Sequence, residues 1–490
     1  MRQVPFHLRE CESSKAAWPQ GRSTCRVNAS ALVFELGDEV VGRAVRAVAH
    51  PVVEASEDSV TGVAGVALWG ELLDRLGLVG EADRRDLRPI GPGGYSGGEC
   101  YRAVVETQLA GGDFLSDRWL LAGEATEALR GGHALPSHST LYRFVSGADL
   151  GRVQKAAAVN RAMLRRAWAV GAAPAAGVLT IDPDATWIET SGRKKEGAEF
   201  SYKHEVGLSP MVGVCGETGD VLGMRGRGGA ANAGRAMGSF VTECVSAIPS
   251  EILGRYQLWL RIDSAGYAAD VIAAAERHNM VFTITAKKAT RVQGAIEALA
   301  TDPATIWVPA GGAETDKGSE IAECAFSFTG RELRLIVRRQ PTKPGDQLSF
   351  DDLDGWRFHA IITNIDAHLR SAADVEAHHR LRGGGPEEAI RQLKGDFGLC
   401  HGPVANFFGN WLWWHAAALA YNVARWLRVL ALPEAFATCR GKRLRLTFLN
   451  VAAKVVCHGR QLKLRLPRAY AYAQAFIDAL ATLRRLPTFA

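Results

Sequence analysis

The stretch GVLTIDPDAT, residues 177–186, and its counterpart LWLRIDSAGY, residues 258–267, decide how this chain is expected to fold. Each is a short apolar run that ends in acid, with Asp182 and Asp184 in the first and Asp263 in the second. Short apolar runs closed by a turn signal read as buried strands. Buried strands ending in carboxylates deliver those acids to one edge of a sheet, where open α/β folds place their sites. An acid at a strand end also caps the turn that follows, which is a purely structural use. Its repetition on two strands favours a site. Asp182 and Asp184 lie two residues apart and face the same side of a strand, so the spacing leaves both open as the first acid.

Working outward, PMVGVCG (210–216) and DVLGMRG (220–226) read as a hairpin. Helical text follows over 234–248, 268–278 and 290–299, with the strand VFTITAK at 281–287. The order β-β-β-α-β-α-β predicts an α/β fold, a mixed sheet flanked by helices. Residues 302–357 break the rhythm with IWVPA, IAECAFSF and LRLIVRR, a β-rich insertion, before the strand FHAIITNI (358–365). Helical text resumes near Glu387 and runs to about Arg428. Toward the N-terminus, helical spacing covers 62–79, 99–109 and 117–129, and Ser137 can cap a helix to Val145. That succession suits a helix-turn-helix-like DNA reader, and equally an all-α packing domain.

The chain has 490 residues, 47% apolar and 22% charged, which excludes a mainly disordered, collagen-like or small disulfide-stapled protein. At roughly 100–200 residues per domain it holds about three structural units. Net charge is +6, but residues 436–490 carry eleven Lys or Arg against the single acid Asp478. A basic tail on a near-neutral body suggests a polyanion partner. Within it, KRLRLTF and QLKLRLP alternate with period two, which predicts a strand pair with one basic face. The nine cysteines are scattered, with no CxxC pair, and read as reduced thiols of a cytosolic protein. The N-terminus lacks the apolar run of a secretory signal. The most apolar segment, 411–432, is interrupted by His415, Asn422, Arg425 and Arg428, so no membrane partner is expected.

A third chemical feature is RLRGGGPEEAIRQLKGDFG, residues 380–398. Pro386 fits a first helical position, and Glu387 and Glu388 suit the positive end of the helix dipole. Glu387, Arg391 and Lys394 fall at i, i+4 and i+7, on one face. That face would set a carboxylate beside two cations. The strand-end acids form a carboxylate cluster with no compensating base nearby, and such a cluster binds Mg²⁺ or Mn²⁺, which prefer oxygen ligands.

These motifs together resemble the DDE transposases of bacterial insertion sequences, in the branch with a Tyr-Arg-Glu-Lys helix motif, and specifically the insertion-sequence family thirteen-eighty. IDPDAT resembles the first-acid motif, Asp-x-Thr, which favours Asp184 over Asp182. RIDSAGY resembles the second, Asp-Ser-Gly-Tyr, and EEAIRQLKGD the third, in which Lys follows Glu by seven residues as Lys394 follows Glu387. The texts RGRGGAANAGR, ANFFGNWLWWHAAALAYNVARWLR and VAAKVVCHGRQLKLRLP extend the resemblance over about residues 100–470. The chain departs from the pattern where the family's tyrosine position carries His379, and where Arg382 precedes Glu387 by five residues rather than four.

The resemblance implies a ribonuclease-H-like core in which Asp184, Asp263 and Glu387 hold two Mg²⁺ or Mn²⁺ ions. It implies cleavage at the ends of a mobile element and strand transfer into target DNA, in cut-and-paste transposition. DNA is the implied partner, as terminal inverted repeats and target, with a homodimer assembled on it in the cytoplasm at the nucleoid. Arg382, Arg391, Lys394, His379, Arg443, Arg445, Lys463 and Arg465 are the candidate DNA contacts. His378 and His379 are expected at the surface or phosphate side rather than as ligands. Trp307 and Trp356 in the insertion are candidates to hold a flipped base, or are ordinary packing residues; Trp411, Trp413 and Trp414 are expected to pack a helix on the sheet. The expected division is 1–50 of unclear structure, 51–170 a helical DNA-binding domain, 171–301 and 358–435 the two parts of the core, 302–357 the insertion, and 436–490 the basic region. Rival readings are a ribonuclease-H-fold DNA nuclease and a DNA-binding protein derived from a transposase.

Overall fold

Capping residues set the N-terminal helices. The computed structural model describes residues 58–489 apart from 89–93, 191, 193, 202–203, 311–317, 343–352, 354 and 460. The expected segment 1–50 and Arg460 of the basic tail lie outside the described residues. Helix α1 (Val66–Arg75) buries Leu68, Trp69, Leu72 and Leu73 on one stripe. Gly77, at φ +68°, turns the chain into α2 (Leu78–Arg84), a conformation that costs glycine nothing. Helix α3 (Gly97–Leu109) starts in a capping box: Glu99 N–H donates to Ser96 Oγ at 3.0 Å, and Ser96 N–H to Glu99 Oε2 at 2.7 Å. The expected helix over 117–129 is broken into a 3₁₀ turn (Leu115–Leu121) and a short helix (Glu124–Ala128), because Gly123 between them has φ +108°. Ser137 caps α4 (His138–Ser146), as its position predicts. Asp149 caps the 18-residue α5 (Leu150–Ala167), which leads to the sheet.

Among the described residues the main sheet has nine strands. They are β1 (Gly177–Ala185), β2 (Met211–Cys215), β3 (Val221–Arg225), β4 (Tyr256–Ile262), β5 (Val281–Thr285), β6 (Val308–Pro309), β7 (Glu320–Phe328), β8 (Arg331–Pro341) and β9 (Trp356–Thr363). Their order across the sheet is β6-β7-β8-β9-β5-β4-β1-β2-β3. Strands β1, β4 and β5 run parallel, and every other pairing is antiparallel. Helices α6 (Met237–Val245) and α7 (Ala269–Arg277) make the crossovers, and α8 (Thr290–Thr301) follows β5. The segment expected as an insertion therefore joins the main sheet: β9 pairs with β5, setting Ile362 beside Ile284, and β8 and β7 extend from it.

After the sheet come α9 (Ala372–Arg380), α10 (Gly385–Asp396) and the 24-residue α11 (Phe407–Leu430). Helix α11 is buried along its length, with Trp413 and Trp414 fully enclosed and the Trp411 indole donating to the Met224 carbonyl at 3.2 Å. Near its end Arg425 and Trp426 reach Asp220, in the β2–β3 turn. The same buried carboxylate accepts from the indole of Trp168, just past α5, at 2.7 Å.

In the basic region only the second alternating stretch is extended. β10 (Ala453–His458) pairs with β11 (Gln461–Arg465), setting Lys454 opposite Arg465 and Val456 opposite Lys463. KRLRLTF is helical instead, a turn at Gly441–Leu444 continued by Arg445–Leu449. Leu444 and Phe448, four residues apart, are both buried, while Leu446 is 70% exposed. The period is helical, not two.

Candidate active site

β1 and β4 are parallel neighbours with Ile181 beside Leu260, so the next residues, Asp182 and Arg261, meet. The pair is buried and bidentate: Arg261 Nε donates to Asp182 Oδ1 and Nη2 to Oδ2, each at 2.7 Å. Arg261 Nη1 also donates to the His378 carbonyl at the end of α9, at 2.8 Å. A Cβ at Gly216 would lie 2.9 Å from Asp182 Oδ2 and 3.1 Å from Arg261 Nη2, so the β2–β3 turn seals the pair from above. Asp182 is thus committed to a structural bond.

Two residues further along each strand, the side chains change use. Asp184 remains 21% exposed and Asp263 38%. Asp263 also caps the 3₁₀ turn that follows, accepting from Ala265 N–H at 2.9 Å. Between the two carboxylates lies Arg382, its Nη2 2.9 Å from Asp184 Oδ2 and 3.9 Å from Asp263 Oδ2. Glu387, in the first turn of α10, is exposed. It lines a cavity of about 420 Å³ together with Asp184, Thr186, Arg391, Lys394 and Cys400.

The electrostatics of this edge follow from crowding. Burial pushes the Asp184 carboxyl up to about 6; Arg382 opposes that, and the negative charges of Asp263 and Glu387 add to it. Burial holds the Lys394 ammonium below the usual lysine range, with the Cys400 and Asp184 side chains pulling the other way. Glu388 points to a different set of partners: it binds Arg391, Gln392 (2.9 Å) and Arg440 (3.0 Å). Arg391 is therefore already paired, whereas Lys394 and Glu387 make no hydrogen bond or ion pair among the described residues.

The three acids singled out by sequence thus lie around one edge, Asp184 and Asp263 joined through Arg382 and Asp184 and Glu387 through the cavity wall. Among the described residues no three His, Cys, Asp or Glu side chains stand close enough to hold a metal ion as they are. The donor chemistry nevertheless suits a divalent cation. All three are hard oxygen donors, and Asp184 is a carboxylate whose charge is disfavoured until positive charge approaches.

The remaining candidates divide. Lys463 and Arg465 project from the hairpin and Arg443 from its helical turn, all exposed. Arg445 is turned inward, donating to the Leu109 carbonyl at 3.0 Å and lying 4.9 Å over the Phe397 ring. His379 is also internal, a correction to its expected place at the phosphate side. Its Nδ1 and Nε2 sit 2.9 and 3.0 Å from Thr283 Oγ1 and Thr285 Oγ1 on β5. Burial first, then His359 and nearby arginines, push it down to about 3, so the ring is neutral. His378 packs against Trp259 with ring centroids 4.2 Å apart. Trp307 and Trp356 share one cation, the Arg339 guanidinium, which lies 4.0 and 4.4 Å from their rings.

Sequence reasoning missed the Asp182–Arg261 pair. The available signal was a charge two residues before each strand-end acid, in IDPD and RID. Such charges in apolar strands require a buried partner.

Among known families, the model of the Transposase DDE domain group 1 matches residues 103–488. Among curated proteins there is no match. Among solved structures, a chain of a cryo-EM structure of the piggyBac transposase synaptic complex with hairpin DNA is similar over 73% of this chain and 74% of its own, at 14% identity and a TM-score of 0.41.

Proposed function

This chain belongs to the DDE transposase family, group 1, and from that premise we propose how its residues carry out transposition. It is a DNA transposase. The core is read as ribonuclease-H-like: the meander β1-β2-β3 followed by two parallel crossover strands, β4 and β5, supports this. Asp184, Asp263 and Glu387 would hold two divalent cations, Mg²⁺ or Mn²⁺. When bound, such ions supply an activated attacking oxygen and a stabilised leaving oxygen at phosphorus.

The chain's own groups do the rest. Arg382 offsets the charge of Asp184 and Asp263 in the resting site. Lys394, unpaired at the cavity wall, is placed to accept a phosphate of bound DNA. Water attacks the phosphorus at the element's end and gives up a proton to solvent; the P–O3′ bond breaks, and the leaving oxygen takes up a proton, which leaves a 5′-phosphate and a free 3′-hydroxyl. In each later transfer, target joining included, that 3′-hydroxyl loses its proton as its oxygen bonds to a phosphodiester phosphorus, the P–O3′ bond of the attacked strand breaks, and a new 3′-hydroxyl is released. The DNA duplex is held by the helices within 51–170 and by the exposed cations Arg443, Lys463 and Arg465 of 436–490, on the inverted repeats and the target. A homodimer assembled on DNA at the nucleoid completes the reading. Among the described residues no helix is long and apolar enough to cross a membrane.

One observation carries the proposal: acids widely separated in sequence lie around a single edge, on two adjacent parallel strands and the facing helix. Asp263→Ala and Glu387→Ala should abolish cleavage and strand transfer on duplexes carrying the element's ends. Affinity should be nearly unchanged, since it comes mostly from phosphate contacts. Full activity in either variant would remove that residue from the site.

A further inference from the structure

Away from the acid edge, α2, α5 and the end of α6 enclose a second cavity of about 570 Å³. Its charged lining is Arg85, Arg161, Arg165, Arg166 and Glu81, with Ser246 at the rim. Glu81 is already neutralised, by Arg84, by Arg85 at 2.7 Å and by Arg166 at 2.7 Å. Arg166 also donates to the Leu76 carbonyl at 2.7 Å, and Arg165 to the Ser246 carbonyl at 2.8 Å. Arg161 makes no hydrogen bond or ion pair among the described residues, although its side chain is half-buried. The acid whose charge acts on it is Glu243, which Arg225 holds at 3.0 and 2.7 Å.

A half-buried guanidinium with five donors and no acceptor lacks a counter-charge. Arg85 and Arg165 add to the positive field there rather than relieve it. Planar guanidinium forks match phosphate oxygens bidentately. Arg165 is exposed, so the cavity opens to solvent, as a continuous backbone requires and a sealed ion site does not. None of the residues that line this cavity lines the one at the acid edge.

We propose that this arginine-lined cavity is a second DNA-backbone site, at which Arg161 and Arg165 grip a phosphodiester of the duplex remote from the reacting strand. The inference rests on the transposase reading of the chain and adds to it a contact that no catalytic group makes. It predicts sequence-independent affinity, because phosphate contacts position without reading bases.

The test uses the full chain and a duplex oligonucleotide, with anisotropy titrations across a NaCl series. Arg161→Gln is the variant of choice, since Arg161 has no partner to orphan. It should make the slope of log K against log salt shallower by about 0.9, one phosphate contact, which is an affinity loss of roughly 8-fold at 0.1 M relative to 1 M. Adding Arg165→Gln should double the change in slope, and Arg161→Lys should restore most of it. Catalysis-dead Asp263→Ala protein should show the wild-type slope. Unchanged affinity and slope in the glutamine variants, with unchanged melting temperature, would overturn the proposal while leaving the transposase reading intact. Failure of the wild-type chain to bind any duplex would overturn both. Inorganic phosphate is the probe for a free-anion site: if it raises the melting temperature of wild type but not of Arg161→Gln, while both bind duplex equally, the cavity serves small anions and not DNA.

Discussion

Replacing Asp182 with alanine is the sharpest test of how the acid edge is built. The carboxylate is 1% exposed and Arg261 4%, so the substitution leaves a buried guanidinium whose remaining acceptor among the described residues is the His378 carbonyl. Breaking a buried pair by removing one partner costs about 3–5 kcal/mol. With an m value of about 3 kcal/mol/M in urea, the unfolding midpoint of the full chain should fall by roughly 1–1.7 M. The double variant Asp182→Leu/Arg261→Met removes both charges together and should recover much of the loss. Asp184→Ala, two residues away, should leave the midpoint nearly unchanged or raise it, because its charge is repelled by Asp263 and Glu387. Urea titrations followed by circular dichroism read all three variants. Equal costs at Asp182 and Asp184, or a cost below about 1 kcal/mol at Asp182, would refute the assignment of one acid to structure and the other to the open edge.

Other outcomes follow from the same geometry. Because the folded-state pKa of Asp184 is raised from 3.8 to about 6, its protonation favours folding at low pH, and that contribution is lost as pH climbs through 6. Asp184→Asn should therefore gain stability relative to wild type between about pH 4 and 6 and then level off; a constant difference across that range would count against the shift. Mn²⁺ should raise the melting temperature of wild type in proportion to its binding, and the rise should vanish in Asp263→Ala or Glu387→Ala. Arg382→Gln should push the Asp184 carboxyl higher still, seen by NMR titration, since it removes the cation 2.9 Å away. Neutralising Lys463 and Arg465 together should flatten the salt dependence of DNA binding by about 1.8 in log–log slope. No change in slope would mean the hairpin face does not touch DNA.

The strands of the core were legible because buried parallel strands are continuous apolar runs, as in LWLRI, and the helix after Ser137 because its cap is explicit. What was not legible depends on pairing at a distance. Nothing local in IAECAFSF says that it will extend the main sheet, since that follows from the register of β9 on β5. KRLRLTF carries Leu444, Leu446 and Phe448, which satisfy period two and conceal the four-residue step that the fold uses. His379 is polar by type, and only the approach of Thr283 and Thr285 makes it an interior residue. The candidate site was proposed from the sequence where acid and strand end coincide. Which of two equally spaced acids remained open depended on Arg261, on the adjacent strand.

The carboxylate of Asp220 binds together three stretches of chain that a reader of the sequence would assign to different modules. Trp168 comes from the helical half, Asp220 from the sheet, and Arg425 and Trp426 from the long C-terminal helix. Counting the Thr218 hydroxyl, four donors make five hydrogen bonds to this one buried carboxylate among the described residues. No cut between these stretches leaves that charge satisfied. A fragment beginning at the first strand would expose an indole-binding carboxylate to water and lose the closing wall of its core. The helical half and the sheet are therefore expected to unfold together. Recombination that exchanged the helical half for another would have to carry the tryptophan at its boundary, and truncation is expected to yield aggregates instead of a folded minidomain.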